Sequence, residues 1–166
     1  RGKLKLILGM EGYLIDNEEK SRENVPYHII ILVKNYTGLK NLYKLVSNSH
    51  LKYFYKKPRI LRKELIDFRD GLLFGSACNQ GELFNAIMEK KPENKIEEIV
   101  KFYDYLEIQP KCNNHFLINK KTVASEEELN NINKRIYQFG KKFNKPVVAT
   151  GDVHFLKKED KVYREV

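Results

Sequence analysis

The sequence has few of the residues that characterise secreted or membrane proteins. Its 166 residues include two cysteines, Cys78 and Cys112, too few for a disulfide framework in a chain of this size. The longest apolar run, IIILV at 29–33, has the length of a strand and is far from the roughly 18 residues that a membrane span needs. The first residues show no signal-peptide pattern. We therefore expect a reduced, cytoplasmic protein that makes no contact with a membrane.

The chain does have an ordinary globular composition with an excess of basic residues. Hydrophobic residues make up 42% of the sequence, which predicts a folded chain, and 1–166 is expected to form a single domain. Lysine and arginine number 31 against 22 acidic residues, so the net charge is +9. We interpret this excess as lysine scattered along the chain, which permits a polyanionic partner such as DNA without requiring one.

Short apolar runs rich in branched residues alternate with amphipathic stretches. The runs predict strands at 3–15, 28–33, 72–77, 105–109 and from Val147 onward. One predicted helix carries an apolar stripe of Leu39, Leu42, Tyr43 and Val46. About five alternations of strand and helix predict an α/β fold with a parallel sheet or barrel, in which the chemistry lies at the carboxyl ends of the strands.

Two further helices are predicted by capping residues at their N-termini. Ser125-x-x-Glu128 is a capping box that opens a helix, and Asn94 with Glu97 resembles a second cap. The helix after Ser125 carries an apolar face formed by Leu129, Ile132, Ile136 and Phe139.

Side chains that could bind metal follow three of the predicted strands. Glu11 ends the first run, Cys78 follows the third, and Asp152 and His154 follow the last, in GDVHFL. In an extended strand, Asp152 and His154 would point to the same face because they are two residues apart. Imidazole, carboxylate and thiolate ligands suit zinc, manganese or iron, and such a set could hold a metal pair that activates water. A structural Asp–His pair at a turn and a buried core thiol are the alternatives.

Other candidates carry weaker signals. His28 lies at the start of HIIILV, so the rule that functional residues follow the carboxyl ends of strands does not predict it as a site residue. Cys112 and His115 have C-x-x-H spacing, but no second pair completes a zinc site, and we expect both in a loop. Arg59 follows the aromatic-basic stretch YFYKK and could bind phosphate through bidentate hydrogen bonds, or it could be an ordinary surface arginine.

Several stretches, taken in order, resemble the PHP (polymerase and histidinol phosphatase) domain, in particular the version found in PolC-type DNA polymerase III alpha subunits of low-GC Gram-positive bacteria. They are LGMEGYLIDN, YHIIILVKNYTGLKNLYKLVSNSHLKYFYKKPRI, GLLFGSACNQGELFNAI, FYDYLEIQP and VVATGDVHFLKKEDKVYREV. The resemblance implies a distorted (β/α)7 barrel, with about five β/α units in this chain, and up to three divalent metals at the strand ends. The metal ligands that it implies are Glu11, His28, Cys78, Asp152 and His154.

The chain departs from this family pattern at its start. The family site begins with an H-x-H pair, which is absent among the four histidines here. In PolC-type polymerases an exonuclease domain is inserted within the PHP domain, and this chain resembles the C-terminal portion that follows the insertion. The resemblance therefore implies a fragment with fewer metals than the full site. Its partners would be the exonuclease and polymerase domains of the parent chain and, through them, DNA.

The resemblance implies three alternative functions. The first is a metal-dependent phosphoesterase-type site inside an enzyme whose DNA-directed nucleotidyl transfer occurs elsewhere. The second is a non-catalytic structural or interaction domain that stabilises the polymerase. The third, a free-standing phosphoesterase of the histidinol-phosphatase type, is disfavoured because KNYTGLKNLYKLVS and YLEIQP resemble the polymerase branch. Because the H-x-H pair is missing, we expect the isolated chain to hydrolyse little or nothing.

Overall fold

A computed structural model describes residues 4–17 and 25–164, which contain both strands and helices. The strands are β1 (Gly9–Ile15), β2 (Tyr27–Val33), β3 (Arg59–Leu61), β4 (Leu72–Gly75), β5 (Leu106–Ile108) and β6 (Val147–Ala149). The α-helices are α1 (Tyr36–Leu51), α2 (Arg62–Asp67), α3 (Glu82–Met88), α4 (Glu93–Phe102), α5 (Lys111–Asn114), α6 (Phe116–Asn119) and α7 (Glu126–Lys142), and a 3₁₀ helix covers Lys158–Arg164. The predicted α/β class is confirmed. Within the described ranges, no helix is long and apolar enough to cross a membrane.

The main sheet is mixed, whereas the sequence pattern predicted a parallel one. Its strand order is β3-β1-β2-β4, with β1 parallel to β3 but antiparallel to β2, and β2 antiparallel to β4. β5 and β6 form a parallel pair, which a bridge between Gly75 and Tyr105 connects to the end of β4. The prediction assumed a helical crossover between consecutive strands, but the described residues between β1 and β2 form no helix.

The two faces of β1 and β2 differ in chemistry because side chains alternate along a strand. Leu14 and Ile29 point into the hydrophobic core and are 1% and 0% exposed. On the opposite face Tyr13 pairs directly with His28, and Glu11 lies diagonally across from the same histidine. The register of this strand pair therefore places a carboxylate and an imidazole side by side.

Helix α7 forms as the sequence predicts. Ser125 is its N-cap, and the Ser125 Oγ accepts a hydrogen bond of 3.3 Å from the backbone N–H of Glu128. The predicted apolar face is buried, namely Leu129, Ile132, Ile136 and Phe139. α7 packs on β5 and β6, and it also contacts α3 and α4. It thus supports the strand pair that leads to Asp152.

Several local predictions were wrong. Tyr43 is 61% exposed and not part of a buried stripe, which on α1 consists of Gly38, Leu42, Leu45 and Ser49. Asn94 caps nothing, because α4 begins at Glu93 after Pro92. The segment expected to be a loop at Cys112 contains the short helix α5, and Arg59 begins β3, a strand that the sequence pattern did not predict.

A partly buried ion network joins the end of β1 to α2 and α3. Arg62 donates from Nε to Asp16 Oδ1 at 2.5 Å and from Nη2 to Glu82 Oε2 at 2.7 Å. Burial would lower the pKa of Arg62, but the charges and hydrogen bonds of Glu82 and Asp16 outweigh burial and raise it. The guanidinium also lies 4.6 Å from the ring centroid of Phe102. This network fixes the start of α3, which follows the loop of Cys78.

Candidate metal centre

Three potential metal ligands of different chemistry converge between β1, β2 and the loop after β4. They are Glu11 in the middle of β1, His28 near the start of β2, and Cys78. Their ligand atoms all lie within 4.8 Å of one another. His28 Nδ1 contacts the Glu11 carboxylate and lies 3.7 Å from Cys78 Sγ. The structure thus brings these three predicted residues together, although Glu11 lies within its strand and not at the strand end that the sequence suggested.

Backbone contacts hold the Cys78 loop against β2. The N–H of His28 donates to the Gln80 carbonyl at 3.0 Å, and the N–H of Gly81 donates to the Cys78 carbonyl at 2.8 Å. A Cβ at Gly81 would lie 2.1 Å from the Ser76 carbonyl oxygen, so the loop needs glycine there to close this tightly. The Tyr13 ring meets His28 edge-on at 5.2 Å between centroids. The imidazole is therefore fixed from the strand side and from the loop side.

The electrostatic environment of the cluster is negative. Burial raises the pKa of the Cys78 thiol, and the charges of Asp152 and Glu11 raise it further. No lysine or arginine is found among the described residues that line the surrounding cleft, which has a volume of about 760 Å³. A bound cation would offset this concentration of carboxylates and would favour the thiolate form of Cys78.

Asp152 and His154 line the same cleft but lie outside the three-residue cluster. Their side chains are 37% and 42% exposed, and His154 Nδ1 is 3.9 Å from Asp152 Oδ1. The prediction that a strand aligns them is wrong, because β6 ends at Ala149 and Asp152 has a φ of +47°, in the left-handed region. Asn113 Nδ2 anchors their loop through a 2.6 Å hydrogen bond to the Gly151 carbonyl.

The remaining candidates lie in other environments. Arg59 is 4% exposed, and its Nε donates to the Tyr53 carbonyl at 2.9 Å, so it is not an ordinary surface arginine. Its contact with phosphate stays a prediction, which this burial does not favour. Cys112 is exposed on α5, and His115 Nε2 lies 3.9 Å from Glu126 Oε1. Neither belongs to the cluster around Cys78.

Sequence reasoning missed two residues that support the site, and a third, Glu107, has a strand position that allows either orientation. The i+2 position of Tyr13 relative to Glu11 was a usable signal, since alternation puts both on one face. Nothing local indicated that Asn113 would hold the Gly151 loop. Glu107 on β5 is 8% exposed, its Oε1 has no hydrogen-bond partner in the described structure, and burial raises its pKa. Its strand position alone did not show which way it points.

The donor set fits a divalent transition metal. An imidazole nitrogen, a carboxylate oxygen and a thiolate sulfur within reach of one point suit zinc, manganese or iron better than calcium or magnesium, which favour oxygen ligands. A family profile described as the PHP domain matches residues 1–111, two thirds of the sequence. The chain belongs to the PHP domain family. The matched range of this PHP chain includes Glu11, His28 and Cys78 and ends before Asp152.

Curated relatives of the PHP chain carry the name DNA polymerase III PolC-type. The protein of Clostridium perfringens is 54% identical over 140 residues, which cover 84% of this chain and 10% of the relative. The Bacillus subtilis protein is 50% identical over 155 residues, covering 90% of this chain and 11% of the relative. The Staphylococcus epidermidis protein is 40% identical over 164 residues, covering 96% and 11%. The PHP chain therefore spans about one tenth of the length of these relatives.

Proposed function

We propose that this PHP chain is a metal-binding segment of a PolC-type DNA polymerase III alpha subunit and acts in DNA replication. The similarity to relatives of that name over most of the chain supports the proposal. In this assignment 1–166 is the C-terminal portion of the PHP domain and contributes about five units of a distorted (β/α)7 barrel. The exonuclease and polymerase domains of the same polypeptide are its partners, and DNA synthesis takes place in the polymerase domain.

The convergence of Glu11, His28 and Cys78 is the observation that carries the metal-binding function. Asp152 and His154 line the same cleft and would add to the ligand set if their exposed loop moved toward the cluster. A bound divalent cation would supply Lewis acidity, which withdraws charge from a phosphoryl oxygen and lowers the pKa of water. This chemistry suits a phosphate ester or anhydride as substrate.

The residues of the cleft have separable roles in this proposal. Glu11 and His28 would each offer one ligand atom and already contact each other, while Cys78 would contribute a soft ligand held by its loop. Asp152, 37% exposed at the mouth of the cleft, can turn toward a ligand or toward solvent. Because its described lining has carboxylates and no lysine or arginine, the cleft would repel a phosphate unless a cation were bound first.

A second function, stabilisation of the fold by metal, is favoured by the placement of the three ligands. Glu11, His28 and Cys78 come from β1, β2 and the loop after β4, so one cation would connect three segments far apart in the sequence. Metal ligation of this kind contributes directly to folding free energy. A stabilising site and a hydrolytic site need the same ligands, and only experiments that separate stability from turnover distinguish them.

The experiment measures thermal unfolding and hydrolysis of bis(p-nitrophenyl) phosphate with and without Mn²⁺ or Zn²⁺. The variants are Cys78→Ser, Asp152→Ala and, as a control carboxylate on the exposed end of α2, Asp67→Ala. We expect metal to raise the Tm of the parent chain and of Asp67→Ala but not of Cys78→Ser, with little or no turnover by any variant.

Turnover that is lost in Asp152→Ala, while the metal-induced rise in Tm persists, would establish the phosphoesterase over the structural role. If the parent chain shows neither a rise in Tm nor turnover, the metal-binding proposal is wrong.

A further inference from the structure

The positive charge of the chain is concentrated in one segment. Residues 25–63 contain nine lysines and arginines and no aspartate or glutamate, so this segment carries +9. The remaining 31 − 9 = 22 basic residues balance the 22 acidic ones, so the rest of the chain is neutral overall. The excess is therefore less evenly spread than the sequence interpretation assumed, although lysine also occurs along the rest of the chain. Arg59 is buried and Arg62 is paired with Asp16 and Glu82, but the seven lysines of the segment are exposed, and exposed lysines in a segment without acidic residues indicate a surface for a polyanion.

Helix α1 presents this charge together with aromatic rings. Tyr36, Lys40, Tyr43 and Ser47 recur at helical spacing on one face, and all four are exposed, with Tyr36 at 71% and Tyr43 at 61%. Lys44 lies at the border of the same face and is exposed as well. Lys40 Nζ lies 4.8 Å from the centroid of the Tyr36 ring. The side of α1 that packs on the sheet carries the apolar residues, so burial does not account for the exposed rings.

The loop after α1 continues the same surface. The Phe54 ring lies 6.4 Å from the His50 ring, and Phe54 is 57% exposed. Lys56 and Lys57 follow and are exposed. Lys57 Nζ lies 4.6 Å from the centroid of Tyr13, whose ring contacts His28 on the sheet face opposite the core. We call the exposed side of α1 and the start of this loop the basic-aromatic face, defined by Tyr36, Lys40, Tyr43, Lys44, Phe54 and Lys56.

The acidic residues nearest in sequence do not neutralise this face. Glu64 is partly buried and accepts hydrogen bonds from Asn48 Nδ2 at 2.9 Å and from the Tyr53 hydroxyl at 3.2 Å. Asp67 and Asp70 are exposed and lie near α1, since Lys44 Nζ is 5.4 Å from the Phe68 ring and Asn41 Nδ2 donates to the Asp70 carbonyl. Among the described residues neither carboxylate forms an ion pair with a lysine of the face, so these lysines remain available to an anion.

We propose that the basic-aromatic face binds single-stranded nucleic acid. Its lysines would contact successive phosphates, and Tyr36, Tyr43 and Phe54 would stack on unpaired bases. Interleaved lysines and exposed rings favour a single strand over a duplex, whose bases are not free to stack on protein side chains. They also favour nucleic acid over an acidic protein surface, because lysines without aromatic rings would be enough to bind an acidic protein. This binding function is separate from the metal site and needs none of its ligands.

The test is fluorescence anisotropy with a labelled oligothymidylate of about 20 nucleotides, measured from low to physiological salt. The test variants are the double substitution Tyr36→Ala/Lys40→Gln and the single substitution Tyr43→Ala. The matched control is Tyr137→Ala/Lys141→Gln on α7, where Lys141 Nζ also lies 4.8 Å from the ring of an exposed tyrosine, but outside residues 25–63. Circular dichroism confirms that each variant is folded.

We expect the parent chain to bind with a Kd of about 10⁻⁵ M at low salt. Tyr43→Ala should weaken binding about tenfold, the order expected for the loss of one stacked ring. Tyr36→Ala/Lys40→Gln should weaken it by a similar factor or more and reduce the slope of log K against log salt by about 0.7, the share of one phosphate contact. The α7 control should bind as the parent chain does, and Lys40→Arg should retain the salt slope because it keeps the charge.

Three outcomes would overturn the proposal. One is the absence of binding by the parent chain at low salt. Another is an equal loss of affinity in the α1 and α7 double variants, which would mean that overall charge alone determines binding. The third is tighter binding of duplex DNA or polyglutamate than of the oligothymidylate together with unchanged affinity in Tyr43→Ala, which would identify a general polyanion surface without base stacking.

Discussion

Substituting Arg62 with methionine should destabilise the chain because it removes the centre of the network that joins β1 to α3. Arg62 contacts Asp16 at 2.5 Å and Glu82 at 2.7 Å, and the Tyr103 hydroxyl donates to the same Glu82 oxygen at 3.5 Å. Methionine keeps an unbranched apolar side chain beside Phe102 but leaves the buried carboxylate of Glu82 without its cation. The substitution therefore removes the positive charge of Arg62 while it keeps most of the packing of that side chain.

The magnitude follows from how deeply each partner is buried. Removing one partner of a buried ion pair costs about 3–5 kcal/mol, since the remaining charge is desolvated and unpaired. The side chain of Glu82 is 11% exposed and fits that case, but Arg62 is 22% and Asp16 66% exposed. Water screens the Asp16 contact, so that pair adds little. We expect Arg62→Met to lower the free energy of unfolding by about 2–3 kcal/mol.

Urea unfolding followed by far-ultraviolet circular dichroism measures this loss, since the chain has no tryptophan to report by fluorescence. Glu82→Gln and the double variant complete a cycle in which we expect a coupling of about 1–2 kcal/mol between Arg62 and Glu82. A loss below about 0.5 kcal/mol in Arg62→Met, the range of ordinary surface substitutions, would refute the reasoning. Strict additivity in the double variant would also refute it.

Three further predictions concern the core and the site. A Cβ at Gly38 would lie 1.8 Å from the Gly71 carbonyl oxygen, so Gly38→Ala should lower the free energy of unfolding by about 3 kcal/mol in urea titrations. Gly151→Ala, whose Cβ would meet only a side-chain methyl at 3.1 Å, should cost far less. Burial raises the pKa of Glu107, so the folded state favours the protonated carboxyl group. This contribution to stability is lost as pH rises through the raised pKa. In parallel unfolding experiments, the free energy of unfolding of Glu107→Gln relative to the parent chain should therefore increase between about pH 4 and pH 8. Burial raises the pKa of the Cys78 thiol, so iodoacetamide should alkylate Cys78 slowly at pH 8 and faster above pH 9 in a Cys112→Ser background. A divalent metal should slow this alkylation further. Fast alkylation at pH 7 would contradict this account.

Local chemistry in the sequence predicted the features that depend on neighbouring residues. The capping box at Ser125 formed because its hydrogen bond joins residues three apart, and the apolar face that follows is a property of one helix. The family resemblance predicted Glu11, His28 and Cys78 as a group. The strand register explains why two of them meet, since Glu11 and His28 occupy the same face of adjacent antiparallel strands.

Features set by distant partners were not predicted. The direction of β2 relative to β1 depends on the chain that joins them, and alternation within each strand carries no information about it. β3 is a three-residue strand that exists because it pairs with the end of β1. The i, i+2 argument for Asp152 and His154 failed because β6 stops at Ala149, and tertiary contacts such as the hydrogen bond from Asn113 to the Gly151 carbonyl hold their loop.

The exposed position of Tyr43 shows that helical periodicity alone does not predict which residues of a helix are buried. Its spacing fits an apolar stripe, yet α1 buries Leu42 and Leu45 and turns the tyrosine to solvent. Period alone does not fix which edge of a helix faces the sheet, because a tyrosine at the boundary fits either environment. Tyr43, which the sequence pattern placed in the apolar stripe, therefore belongs to the proposed nucleic-acid surface, while Leu42 is buried.

The metal content of the purified chain tests the central claim most directly. Elemental analysis after purification without added metal should find about one zinc, manganese or iron ion per chain in the parent protein and in Cys112→Ser, since Cys112 lies outside the cluster. Cys78→Ser should lose the ion, and Asp152→Ala and His154→Ala should retain less than the parent chain. A parent chain without bound metal, or a Cys78→Ser variant that keeps its metal in full, would contradict the assignment of Glu11, His28 and Cys78 as a metal centre.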